Sequence, residues 1–206
     1  MKDFFLQDVI CSLSETFSMI FSFKKRIVPY KINNYKGTGG TIAGVSNYLK
    51  HKNPKVKVVL ADPPGSSLMN KINFGVLYTH EEAEGHRVRH PFDTITEGIG
   101  LNRLTKNFEI AKIDQAFRVT DEESLAMGKF LIEKEGIFVG SSSALNAVAC
   151  VKAARTFGEG QVIVTIFSDS GTRYMSKFYS KQWLIKYNAQ LLESLKHHNA
   201  DLSFVQ

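Results

Sequence analysis

This 206-residue chain holds two cysteines, Cys11 and Cys150, and one tryptophan. Two thiols are too few for a disulfide scaffold, and Cys150 lies in the apolar helical stretch ALNAVACV, where a buried thiol in a reducing compartment is expected. No apolar run of about 18 residues occurs, so no helical membrane span is expected. The net charge of +6 comes from lysines and arginines scattered singly among acids, without the clustered basic face of a nucleic-acid binder. No zinc-protease motif is complete: His80 opens HEEAE, but Glu84 stands where the second histidine belongs, so no metal is expected. The N-terminus lacks both the positive start of a signal peptide and the acid-free make-up of a mitochondrial presequence, since Asp3, Asp8 and Glu15 interrupt it. A cytoplasmic location follows as the expectation, with mitochondrial association kept open.

What is present reads as a globular chain, 43% hydrophobic and 22% charged, with length enough for a core. In residues 1–36, Phe4, Phe5, Val9, Ile10, Leu13, Phe17, Ile20 and Phe21 recur at helical spacing and predict a helix with one apolar face. From residue 37, helix and strand signals alternate. Ile42, Val45 and Leu49 share a helix face that ends at Asn53 and Pro54. VKVVLAD follows as a continuous apolar run suited to a buried parallel strand, and Asp62, Pro63, Pro64 and Gly65 turn the chain. Residues 66–98 read as loop and short helix. IDQAFRVT reads as a shorter strand, Thr120 to Glu123 has the form of a capping box, and Gly136 closes the helix it opens. IFVGSS, a helix over about 143–157 stopped by Gly158, and the strand QVIVTIF come next, before an amphipathic helical tail from Tyr174. The alternation predicts an α/β domain with a parallel sheet and ligands at the carboxyl ends of its strands.

One loop is a candidate for holding such a ligand. In YKGTGGTIAG, Gly37, Gly39 and Gly40 can turn successive N–H groups toward one anion, Thr38 and Thr41 can add hydroxyls, and the following helix adds its positive end. No Lys-Ser or Lys-Thr pair completes a nucleotide P-loop, and Ile42 replaces the third glycine of the dinucleotide fingerprint. The alternatives are a small phosphate cup and a glycine turn that merely opens a helix.

Five segments in order, GTGGTIAGVSNYLK, VKVVLADP, EGIG, EGIFVGSSSA and VTIFSDSGTRYMS, resemble the C-terminal half of the pyridoxal-phosphate enzymes of the cysteine synthase and cystathionine beta-synthase family. EGHRVRHPFDTITEGIGLNRLTKNFE is similar to fungal cysteine synthases in particular. The resemblance covers about residues 37–183 and implies the tryptophan synthase beta-like fold, fold type II, with pyridoxal 5'-phosphate in a cleft and usually a dimer. It implies that Gly37, Thr38, Gly39, Gly40 and Thr41 hold the cofactor phosphate. It also implies that Ser142 meets the pyridine nitrogen and that Gly98 lines the substrate side of the ring. Ala144 departs from the pattern where a glycine is usual. Taken alone, SSS before a helix reads as an ordinary N-cap, and Asp169 within SDSG reads as a turn or cap residue rather than a catalytic acid.

The family's other half is not matched. No Ser-x-Lys-Asp-Arg segment, which would carry the Schiff-base lysine, and no TSGNT-like substrate loop precede Gly37. Ser22, Phe23, Lys24, Lys25 and Arg26 echo the first, but Lys25 stands where the aspartate belongs, and a chance basic pair is the simpler reading. Polar KINNYK replaces the apolar strand expected before the glycine loop. The division expected is an atypical, helical segment over 1–36, a cofactor-binding α/β portion over 37–183 and a helical tail over 184–206. The function implied is a truncated cysteine synthase-like enzyme of β-replacement, converting O-acetylserine and sulfide to cysteine, inactive alone and without a catalytic residue of its own. The alternatives are a phosphate- or cofactor-binding module and a non-catalytic partner of a full-length homologue. The expected partners are an amino-acid substrate and a second copy or that homologue, with no nucleic acid.

Overall fold

A computed structural model describes residues 39–78, 94–187 and 202–206, together with the backbone of 19–23. The strands are β1 (Met19–Phe23), β2 (Lys57–Asp62), β3 (Gln115–Arg118) and β4 (Val162–Thr165). The helices are α1 (Gly40–Lys52), α2 (Leu68–Phe74), α3 (Lys106–Glu109), α4 (Asp121–Glu135), α5 (Ser141–Phe157) and α6 (Lys181–Tyr187). Short 3-10 turns occupy Gly171–Tyr174 and Leu202–Phe204.

The sheet runs in the order β3, β2, β1, β4. Strand β2 lies parallel to β3, with Val59 beside Gln115 and Asp62 beside Arg118. All but the first residue of β2 is buried, as the continuous run VVLAD requires of a strand covered on both faces. One face, with Val59, Ala61 and Ile163, packs on Leu125, Met127, Leu145 and Val148 of α4 and α5. The other, with Val58, Leu60 and Ala116, packs on Ile42 of α1, Leu68 of α2 and Phe108 of α3. The result is a three-layer α/β arrangement in which β2, β3 and β4 share one direction.

Strand β1 is the exception. It runs antiparallel to both neighbours, with Met19 beside Leu60 and Ile20 beside Thr165. Residues 19–23 are therefore a strand, whereas the spacing through Ile20 and Phe21 predicts the end of a helix. A short apolar run fits either periodicity, and the unpaired inner edges of β2 and β4 decide between them, because a buried strand edge without partners strands its polar groups. The rest of the expected N-terminal helix, the Lys24 to Arg26 cluster and KINNYK lie outside the described residues. The expected tail is a single short helix, α6, over the described part, and Phe204 and Val205 beyond it are buried.

Short connections orient the helices. Asn53 ends α1 only a few residues before β2 begins, so α1 runs antiparallel to β2. Lys50 Nζ reaches the Asp114 carboxylate at 2.6 Å, and Asp114 also accepts the Val58 N–H at 2.7 Å, which anchors the end of α1 where β2 and β3 begin. The start of α1 is thereby directed toward the carboxyl ends of these strands. Gly158 and the turn after it place the start of α5 in the same way relative to β4.

Candidate cofactor-binding site

Helix α1 opens on Gly39, whose φ of 78° lies in the left-handed region. A Cβ there would fall 2.7 Å from Phe108 Cβ and 2.9 Å from the Phe108 backbone, so glycine is needed for space as well as conformation. Phe108 is itself fixed by α3, where Thr105 Oγ1 accepts its N–H at 3.2 Å, and by Asn47, which donates to the Ile110 carbonyl at 2.8 Å. No side chain caps α1 and no acid stands in its first turn. The first return bond runs from Ala43 N–H to Gly39 at 3.0 Å, which leaves the N–H groups of Gly40, Thr41 and Ile42 without intrahelical acceptors. A positive helix end with free donors and no internal anion suits a phosphate. Gly37 and Thr38, the first half of the expected cup, lie outside the described residues.

The start of α5 is built differently. Its N-cap is Gly140, not one of the three serines, so the reading of SSS as an ordinary cap does not hold. Ser141, Ser142 and Ser143 are wholly buried inside the first turn, and their hydroxyls tie neighbouring segments to it. Ser141 Oγ accepts the Glu97 N–H at 3.3 Å, Ser143 Oγ accepts the Ser168 N–H at 2.9 Å, and Ser142 Oγ lies 3.4 Å from Ser168 Oγ. Ala144 is also completely buried. Ser170, at the head of the 3-10 turn after β4, is exposed, and its hydroxyl accepts the Thr172 N–H at 3.3 Å and the Thr172 hydroxyl at 3.2 Å.

Gly98 sits on a segment held at both ends. Asp121 Oδ1 lies 2.5 Å from Thr94 Oγ1, Asp121 Oδ2 accepts the Ile95 N–H at 3.1 Å, and Thr94 Oγ1 accepts the Thr96 N–H at 3.1 Å. Burial pushes the Asp121 carboxyl above its usual value, and the bonds from Thr94 and Ile95 oppose that rise. At the far end, Ser66 Oγ accepts the Leu101 N–H at 3.0 Å and donates to the Leu101 carbonyl at 2.9 Å. Between these anchors, Gly98 and Gly100 take φ values of 82° and 88°. Thr96 is 2% exposed, and its hydroxyl has no hydrogen-bond partner among the described residues. The fold thus joins the Gly98 segment to the Ser142 turn through Ser141, and directs the start of α1 to the same end of the sheet. Sequence reading missed Ser66 and Asp121 as the residues that fix this segment; Asp121 was legible only as part of a helix cap.

Residues 36–169 match the family model of the pyridoxal-phosphate dependent enzymes, and the chain belongs to that family. It is 54% identical over 154 residues to cysteine synthase 2 of Schizosaccharomyces pombe, and 54% identical over 147 residues to cysteine synthase 2 of Emericella nidulans. These alignments cover 74% and 70% of this chain, and it spans 39% and 34% of the lengths of those relatives. Among solved structures, it is similar to an O-acetylserine dependent cystathionine beta-synthase from Helicobacter pylori, with 35% identity and a TM-score of 0.53. That match covers 68% of this chain and 40% of the other. The family's cofactor is pyridoxal 5'-phosphate, and the fold is that of its fold type II. Among the described residues, no helix is long and apolar enough to cross a membrane.

Proposed function

We propose that this chain binds pyridoxal 5'-phosphate, with the phosphate on the loop of Gly37, Thr38, Gly39, Gly40 and Thr41, as part of a cysteine synthase-like β-replacement system. The observation that carries this reading is the start of α1: a left-handed glycine, free N–H groups, no cap and no acid. When bound, the cofactor supplies an electron sink for chemistry at the α and β carbons of an amino acid. The chain's own residues supply the seat. Gly98 and the unpartnered Thr96 hydroxyl line the substrate side, on a segment held by Asp121 and Ser66. O-acetylserine with sulfide is the substrate pair proposed.

Two serines compete for the pyridine nitrogen. Ser142 is the residue implied by the family motif, but its hydroxyl is wholly buried against Ser168. Ser170, exposed on the adjoining turn, is the second candidate for that reason. The spectrum of bound cofactor decides: Ser142→Ala alters it if the first is right, Ser170→Ala if the second.

The 206 residues contain no Ser-x-Lys-Asp-Arg segment, so we propose that they bind the cofactor without completing the reaction alone. A full-length homologue would supply the catalytic lysine. Borohydride treatment of the chain with pyridoxal phosphate should leave no specific lysine adduct, and an adduct on Lys24 would overturn this part. Gly39→Ala should abolish binding of both phosphate and cofactor with circular dichroism unchanged; retained binding would refute the cup.

A further inference from the structure

Three helix starts at this end of the sheet, α1, α2 and α5, lack a capping bond from the N-cap side chain and first-turn acids. At α2 the carboxylate of Asp62 stands in, accepting the Met69 N–H at 2.8 Å, which leaves α1 and α5 to compare. Their surroundings differ. At α1, the place of the missing Gly39 side chain adjoins the apolar Phe108 Cβ. At α5, a Cβ built on Gly140 would lie 2.0 Å from Asp169 Oδ1 and 2.8 Å from its Cγ. The carboxyl group of Asp169 therefore stands where a capping side chain of α5 would stand, and supplies from a neighbouring turn the negative charge that the cap residue lacks.

Asp169 is held firmly in that place. Its carbonyl accepts the Gly140 N–H at 2.9 Å, and its Oδ2 accepts the Tyr174 hydroxyl at 2.6 Å. Burial raises the Tyr174 phenol well above its usual value, and the hydrogen bond and charge of Asp169 add to that, so the phenol remains a donor. Tyr179 is raised by burial and then by the same charge, and its hydroxyl donates to the Val139 carbonyl at 2.6 Å. Gly171 N–H closes the other side of the turn on the Phe138 carbonyl at 3.2 Å.

We propose that Asp169 is a positioning residue of the cofactor site: its carboxylate closes the start of α5 to other anions, and with Tyr174 it fixes the turn of residues 168–171 as the floor beside the cofactor ring. The proposal rests on the reading of residues 37–41 as the phosphate cup. It assigns the phosphate to α1 and ring placement to the turn beside α5, so the two should separate experimentally.

The test titrates the full 206-residue chain with inorganic phosphate and with pyridoxal phosphate, by calorimetry and by the absorption of the bound cofactor. Asp169→Asn is expected to weaken pyridoxal phosphate by about tenfold while moving the phosphate Kd by less than about twofold, with the bound spectrum shifted toward that of free cofactor. Tyr174→Phe, which keeps the ring and the carboxylate, should act in the same direction by about threefold, and carries the test if Asp169→Asn does not fold. Equal losses for phosphate and pyridoxal phosphate, or no change for either, would overturn the proposal. If the unmodified chain binds neither, the phosphate-cup reading falls and this proposal with it, an outcome seen before any variant is made.

Discussion

Helix α4 begins on Thr120, whose hydroxyl accepts the Glu123 N–H at 3.2 Å while Glu123 Oε2 accepts the Thr120 N–H at 2.9 Å, and three acids fill its first turn. Helix α1 begins on Gly39 with no cap and no acid. The first start supplies its own capping box and acidic side chains within one turn of chain. The second leaves donors and positive potential at the end of the sheet where ligands sit in α/β folds. Within one chain, then, one helix start supplies its own cap and acids and another leaves its first N–H groups open.

Gly39→Ala strikes this contrast hardest. The left-handed conformation costs a non-glycine residue about 1–3 kcal/mol, and the new Cβ must also displace Phe108. Lost phosphate and cofactor binding together with a lowered urea midpoint is the expected outcome. Unchanged affinity would mean that α1 starts on glycine only because Phe108 leaves no room.

Asp121→Ala tests whether a stability helix can also serve the site. It removes the bonds to Thr94 and Ile95, at a cost of about 1–3 kcal/mol at acid pH. Because burial raises its carboxyl in the folded state, Asp121 contributes most below the unfolded value, near 3.8, and that contribution is lost as pH rises through the folded value. The destabilisation caused by Asp121→Ala should therefore shrink from acid to neutral pH in urea melts. A destabilisation that grows toward neutral pH would show that the carboxylate form is the one the fold holds.

These residues also mark how much was legible in the chain itself. The VVLAD strand, the Thr120 capping box and the Gly136 stop are local patterns, and each reads correctly because its partners lie within a few residues. Strand β1 does not read, since a five-residue run with four apolar side chains fits helix and strand alike and the edges that choose between them belong to β2 and β4, far along the chain. The loop anchors fail for the same reason: Asp121 meets Thr94 and Ser66 meets Leu101 across long separations. The α5 start misleads most, because SSS before a helix carries the signature of a cap whereas the cap is Gly140 and the serines serve as buried ties.

Thr120→Ala should cost about 1 kcal/mol of stability, the usual loss of a cap, and leave phosphate and cofactor affinities unchanged. Binding that falls along with stability would erase the division between the two kinds of helix start.

The smallest effect belongs to the exposed ion pair between Lys177 and Glu97, 2.6 Å apart with both side chains about half exposed. Exposed pairs contribute roughly 0–1 kcal/mol and are screened by salt, so Glu97→Gln should leave the urea midpoint nearly unmoved. The Glu97 backbone is another matter, since its N–H reaches Ser141 Oγ at 3.3 Å and ties the Gly98 segment to α5. Removing that acceptor with Ser141→Ala should exceed the effect of Glu97→Gln on both stability and cofactor affinity. If the two variants match, or the charge change is the larger, the segment is held from the surface rather than from the buried start of α5.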